Sequence, residues 1–158
     1  APNNHGVWYD AQLLAYAGFL GDSVLVSSIY NRVLKRLDQE MDAQGSFPLE
    51  MRRTTSLHYS VFILNAYCSL ATRFQQLGLD LWQAKTLSGK SLKLGFDFIL
   101  PYLLGKQKWT GPQINEFKQV EAIPLLNKAI AQYGCTSCAD EVKRLAGSAY
   151  PFLLMKLL

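Results

Sequence analysis

Two short stretches of this chain gather the side chains that chemistry needs. The first, Asn3-Asn4-His5-Gly6-Val7-Trp8-Tyr9-Asp10, places two amides and an imidazole at the start of an apolar helical pattern. The second, Phe47-Pro48-Leu49-Glu50-Met51-Arg52-Arg53-Thr54-Thr55-Ser56-Leu57-His58-Tyr59, adds guanidinium groups, a second imidazole and a phenol. A carboxylate held by a guanidinium and an amide has its charge neutralised, which makes a neighbouring C–H easier to deprotonate. An imidazole or a phenol can take that proton, and a phenol can protonate a departing oxygen. The set therefore suits β-elimination next to a carboxylate.

Each group also has a plainer reading. Asn at a helix start is an ordinary cap, and a His beside it can hydrogen-bond the first turn. Tyr59 opens the most apolar helix of the chain, where a phenol is often buried with its hydroxyl bonded to backbone. Arg52 and Arg53 precede that helix, where cations oppose the dipole, so their presence calls for an anion. Glu50 is one source of that anion, and an anionic ligand is the other. Trp82 and Trp109 fall in loops, where they can stack on sugar rings or plug the mouth of a helical barrel.

Composition narrows the class. At 158 residues, 49% hydrophobic and 18% charged, the chain is one domain's worth of globular sequence with a real core. Its net charge of +4 is spread along amphipathic helices, which gives no nucleic-acid track; it reads either as a solvated surface or as a general attraction for an anionic polymer. No apolar run approaches the roughly 20 residues of a membrane span. The three cysteines make no disulfide framework; Cys135-Thr136-Ser137-Cys138 allows a local bridge or two thiols, with Cys68 a buried thiol. No second CxxC or nearby His completes a metal set, and there is no nucleophile elbow or phosphate loop. Asp10, Asp42 and Glu50 supply carboxylates, but none sits in a context that suggests glycoside hydrolysis.

The periodicity is helical nearly throughout. A first stripe through Val7, Leu13, Leu14, Ala17 and Leu20 stops at Gly21, and Asp22 or Ser23 can cap a second helix ending near Glu40. A loop over 42–53 leads to a third helix, capped by Thr54, Thr55 or Ser56 and ending near Gly78. It is apolar on most sides, as a buried helix is. A loop over 79–89 precedes a fourth helix from Lys90 to Leu104, interrupted at Pro101. A second long loop spans 106–117, and helices over about 119–133 and 138–157 follow, the last containing Pro151. The expected fold class is all-α, built of antiparallel helical hairpins.

The words Asn3-Asn4-His5-Gly6-x-Trp8-Tyr9-Asp10-x-Gln12 and Gly45-Ser46-x-Pro48-Leu49-Glu50-x-x-Arg53-Thr54-x-Ser56-x-His58-Tyr59-Ser60 resemble the alginate lyase superfamily of polysaccharide lyases, and among them the Bacteroidetes-type proteins. Gly78-Leu79-Asp80-Leu81-Trp82 and Phe96-Asp97-Phe98-Ile99-Leu100-Pro101-Tyr102 continue the likeness. It implies an (α/α) toroid, here a partial one, in which residues 1–158 form a single domain shorter than the family's fold at its N-terminus. It also implies β-elimination on alginate or polyglucuronate with no cofactor and no metal, in the periplasm or outside the cell. Carried over residue by residue, the catalytic set falls on Asn4, His5, Arg53 and Tyr59. Arg52, His58, Trp8 and Glu50 then contact substrate. Counting back from Tyr59 points to Arg52 instead; the ungapped Glu-x-x-Arg-Thr word selects Arg53. A second arginine that some members use downstream has no match, since only Arg73 and Arg144 follow. The expected partner is an anionic polysaccharide, with no nucleic acid and no membrane. An absent N-terminal half or a second copy would cover apolar surface left by an open arc. The rival expectations are a carbohydrate-binding relative without turnover, and a structural module in which Asn4 caps, Tyr59 packs and Arg53 pairs with Glu50.

Overall fold

The computed structural model describes residues 1–147, and among them every regular element is helical. These are α1 (Asn4–Leu20), α2 (Ser23–Glu40), α3 (Pro48–Met51), α4 (Ser56–Gln76), α5 (Leu92–Leu103), a 3₁₀ turn (Gln119–Ala122), α6 (Ile123–Tyr133) and α7 (Thr136–Ala146). One isolated bridge pairs Thr55 with Gln113. The expected all-α class holds. The end of the last expected helix, with Pro151, lies outside the described residues.

Local chemistry sets the boundaries. The Asn3 side chain accepts the His5 N–H at 3.1 Å and starts α1. Gly21, left-handed at φ 67°, ends it by returning its N–H to the carbonyls of Ala17 and Gly18. Asp22 takes the Leu25 N–H at 2.9 Å and opens α2. That helix buries Val26, Ile29, Val33 and Leu37, one stripe at spacings of three and four. Helix α4 is buried along most of its length and packs against α1, α3, α5 and α6. It is the central element, as its all-round hydrophobicity required.

The expected loop over 42–53 holds the short helix α3, and two helix boundaries also differ from expectation. Helix α5 runs through Pro101 without a break. A proline in the final turn removes a single ladder bond, and Phe96, Ile99 and Leu103 hold that turn in the core. Beyond it, the Pro101 carbonyl accepts the N–H groups of Lys106 and Gln107. Helix α7 begins at Thr136 because Cys135 caps it, its sulfur accepting from the Cys138 N–H. Cys135 and Cys138 are joined as a disulfide, while Cys68 is free and buried, and burial pushes its thiol up to about 12.

The loop tryptophans are packing groups. Trp82 is fully buried, and Trp109 is half-buried with its ring edge-to-face against Tyr102. Toward its C-terminal end, α1 presents Tyr16, Phe19 and Leu20 outward. The join between α1 and α2 is ionic. Asp10, fully buried, takes Arg32 at 2.7 Å and Arg36 at 2.9 Å. Arg36 also reaches Glu40 and the Ala1 carbonyl, and burial pushes the Glu40 carboxyl up against that pull. Removing the carboxylate at the centre leaves two guanidinium groups facing each other. Asp10→Ala should therefore cost about 3 kcal/mol of stability by urea denaturation, in the range for breaking a buried ion pair. An unchanged midpoint would mean that the network contributes nothing net.

Candidate active site

The site is assembled around the short helix α3. Phe47, buried and stacked on Tyr67 at 5.6 Å, anchors its entrance, and Pro48 supplies the preset φ of a first helical position. One turn later Glu50 points inward, almost wholly buried. A buried carboxylate needs donors, and all of those identified come from Asn4. The Asn4 backbone N–H donates to Oε1 at 2.8 Å, and its Nδ2 sits 3.0 Å from both carboxylate oxygens. The amide that could have been a cap is thus spent on Glu50, and Asn3 caps in its place. This contact ties the first turn of α1, with the exposed His5 on it, to α3.

Arg53 lies two residues past the end of α3, its N–H bonded to the Glu50 carbonyl at 3.1 Å. Its guanidinium does not pair with the Glu50 carboxylate, contrary to the structural alternative. It lies over the Tyr59 ring, 3.9 Å from the centroid, and Nη2 donates to the Tyr59 hydroxyl at 2.7 Å. Because a guanidinium has no acceptor, the phenol oxygen must accept this bond. The Tyr59 proton is therefore free to point elsewhere. Arg52 is exposed, and between the two arginines it is Arg53 that touches the tyrosine.

His58 and Tyr59 stand in the first turn of α4, and that turn has no local side-chain cap. Its N–H groups are met from a distant loop. Pro112 O accepts from Ser56 N–H at 2.9 Å, and Gln113 Oε1 accepts from Leu57 N–H at 3.0 Å. Trp109 Nε1 donates to Ser56 Oγ at 2.8 Å, and Gly111 is needed where the loop crosses, since a Cβ would lie 2.5 Å from that oxygen. The loop over 109–117 is thus a strap across the start of α4. Between strap and helix opens a cleft of about 510 Å³. Its walls include His58, Tyr59, Phe62, Asn65, Asn115, Phe117 and Glu121. Trp8 is half-buried and backs this wall through Phe62, ring centroids 5.4 Å apart.

Of the eight candidate residues, the structure joins Asn4 to Glu50 and Arg53 to Tyr59, and sets His58 beside Tyr59 in the cleft. Glu50, expected to face substrate, has its carboxylate against Asn4 instead. Gln113, Asn115 and Phe117 in the strap, Glu121 in the 3₁₀ turn and Asn65 on α4 were missed, because sequence spacing gives no sign of which helix a loop will cross or which helix face it will leave open. The other carboxylates are engaged: Asp10 by arginines, and Asp42 by the backbone and hydroxyl of Ser46. Among the described residues no group of three or more His, Cys, Asp or Glu could hold a metal. No helix there is long and apolar enough to cross a membrane.

Comparison with known proteins identifies the family and the fold. The alginate lyase family model matches residues 1–109, and the chain belongs to that family. A crystal structure of an alginate lyase from Bacteroides ovatus is similar at TM-score 0.83 and 30% identity over 95% of this chain. The chain spans 40% of that protein's length. No curated protein sequence matches it.

The Asn4–Glu50 contact should carry measurable stability. Glu50→Ala leaves a buried amide and a backbone N–H without acceptors, and is expected to cost about 2–3 kcal/mol in chemical denaturation. A cost near zero would mean that water replaces the carboxylate and that α1 is not tied to α3 through it.

Proposed function

We propose that this chain carries the catalytic groups of a polysaccharide lyase that cleaves a uronic acid polymer, alginate or polyglucuronate, by β-elimination. The observation that carries the reading is the Arg53–Tyr59 pair, a guanidinium fixed 2.7 Å from a phenol oxygen beside an open cleft. Family membership supports it, and so does the net charge of +4, which draws a polyanion toward the surface.

In this mechanism the uronate carboxylate binds against Arg53, whose charge offsets the negative charge that builds as the C5 proton leaves. Asn4, buried with its amide on both Glu50 oxygens, acts by holding the first turn of α1 against α3. Glu50 orients that amide. The electrons of the C5–H bond become the C4–C5 double bond, and the C4–O4 bond breaks. Tyr59 gives its proton to O4, and the phenolate left behind faces the Arg53 guanidinium. When the C5 proton lies opposite O4, His5 takes it; when it lies on the same side, Tyr59 begins as the phenolate, takes the C5 proton and passes that same proton to O4. Product is released as a 4,5-unsaturated uronate and a shortened chain with a free hydroxyl. The Cys135–Cys138 bridge favours an oxidising compartment, in line with a periplasmic or secreted protein.

The alternative is a relative that binds oligouronates without turning them over, favoured by the Asn4 amide being buried against Glu50 and withdrawn from any substrate. Ultraviolet absorbance of the unsaturated product, with alginate and polyglucuronate offered separately, distinguishes the two. The lyase reading expects product from one of them. Tyr59→Phe should lower kcat by about 10²–10⁴-fold, the contribution of general acid–base catalysis, while helix content stays constant. Binding without product supports the alternative. Near-full activity in Tyr59→Phe would remove the phenol from the mechanism.

A further inference from the structure

Gln113 lies in the strap and makes three contacts that together fix the orientation of its amide. Oε1 takes the Leu57 N–H at 3.0 Å, and a backbone N–H can only donate. Nε2 stands 2.7 Å from the Asn115 carbonyl, which can only accept. The amide therefore cannot be flipped, and the remaining Nε2 hydrogen faces His58 Nδ1 at 2.7 Å. Against a donor, Nδ1 must be the bare nitrogen of the ring. In the neutral imidazole the proton then sits on Nε2, and Phe117, edge-on at 5.0 Å, restrains the ring plane.

The Nε2 atom points into the cleft that Tyr59 also lines, with Glu121 Oε2 at 3.9 Å. That gap is too wide for a hydrogen bond and has room for a ligand oxygen beside both groups. A donor and a carboxylate acceptor flanking one position suit a sugar hydroxyl, which can accept from one and donate to the other. We infer that Gln113 is a positioning residue that fixes the His58 tautomer, so that Nε2–H is presented to a hydroxyl of the bound uronate chain. This assignment rests on the lyase reading for its ligand. The tautomer itself does not depend on that reading.

The chain has only two histidines, so His5→Gln leaves His58 as the single imidazole signal in a nitrogen-15 spectrum. In the neutral ring that spectrum should give the Nε2–H tautomer alone. Gln113→Glu replaces the donor facing Nδ1 with an acceptor and should move the proton to Nδ1. Gln113→Met, which retains length without a donor, should give a mixture. It serves as the second variant if the Glu substitution disturbs the strap. Addition of oligoglucuronate or oligoalginate should shift the Nε2–H resonance; in the chain that retains His5, either Gln113 variant should raise KM about tenfold with little change in kcat, the scale of one hydrogen bond. An Nε2–H tautomer that persists in both variants, or Nδ1–H in the parent, overturns the proposal. A tautomer that moves as expected, while the chain retaining His5 neither binds nor cleaves uronates, would sink the lyase reading and the sugar contact, and leave Gln113 as the group that sets the ring.

Discussion

The start of α4 is the point on which the rest of this structure depends. A helix leaves its first N–H groups without intrahelical partners, and here those groups lie at buried residues, Ser56 and Leu57, out of reach of bulk water. No side chain of the adjoining turn caps them. The strap does, through Pro112 and Gln113, more than fifty residues further along the chain. That requirement brings the strap onto the helix, creates the cleft beside it, and fixes the turn on which His58 and Tyr59 are carried.

A second constraint acts on the other side of the same turn. Glu50 is buried and draws its donors from Asn4, which brings the start of α1 against α3. Arg53 stands two residues after the end of α3 and is delivered onto the Tyr59 ring. Two polar contacts that stabilise the fold thus also set the positions of the groups assigned to chemistry. The arrangement couples stability to function, since neither contact can be loosened without moving the arginine or the tyrosine.

How far the sequence reveals this differs by element. The helices were legible because their apolar spacing is regular and Gly21, Asp22 and Gly134 mark ends that the structure respects. Pro101 misled, since a proline's effect depends on where in the helix it falls and on what packs around it. Asn3 and Asn4 could not be told apart as caps: both are asparagines, and only the buried carboxylate across the gap decides between them. Arg52 and Arg53 are similarly adjacent, and the direction each takes from α3 is a tertiary fact. The likeness carried by the Glu-x-x-Arg-Thr word selected the arginine that meets Tyr59. Gln113 had no local signal, because its meaning lies in Leu57 and His58.

The central claim is that Arg53 and Tyr59 act as one unit on a uronate. Its most direct test is a crystal structure of the Tyr59→Phe chain soaked with an oligouronate, where loss of the hydroxyl preserves uncleaved ligand. The account predicts a sugar carboxylate within hydrogen-bond distance of the Arg53 guanidinium, about 3 Å, and a glycosidic oxygen facing the missing hydroxyl. An oligomer bound with its carboxylates turned away from Arg53, or seated on another face of the molecule, would contradict it.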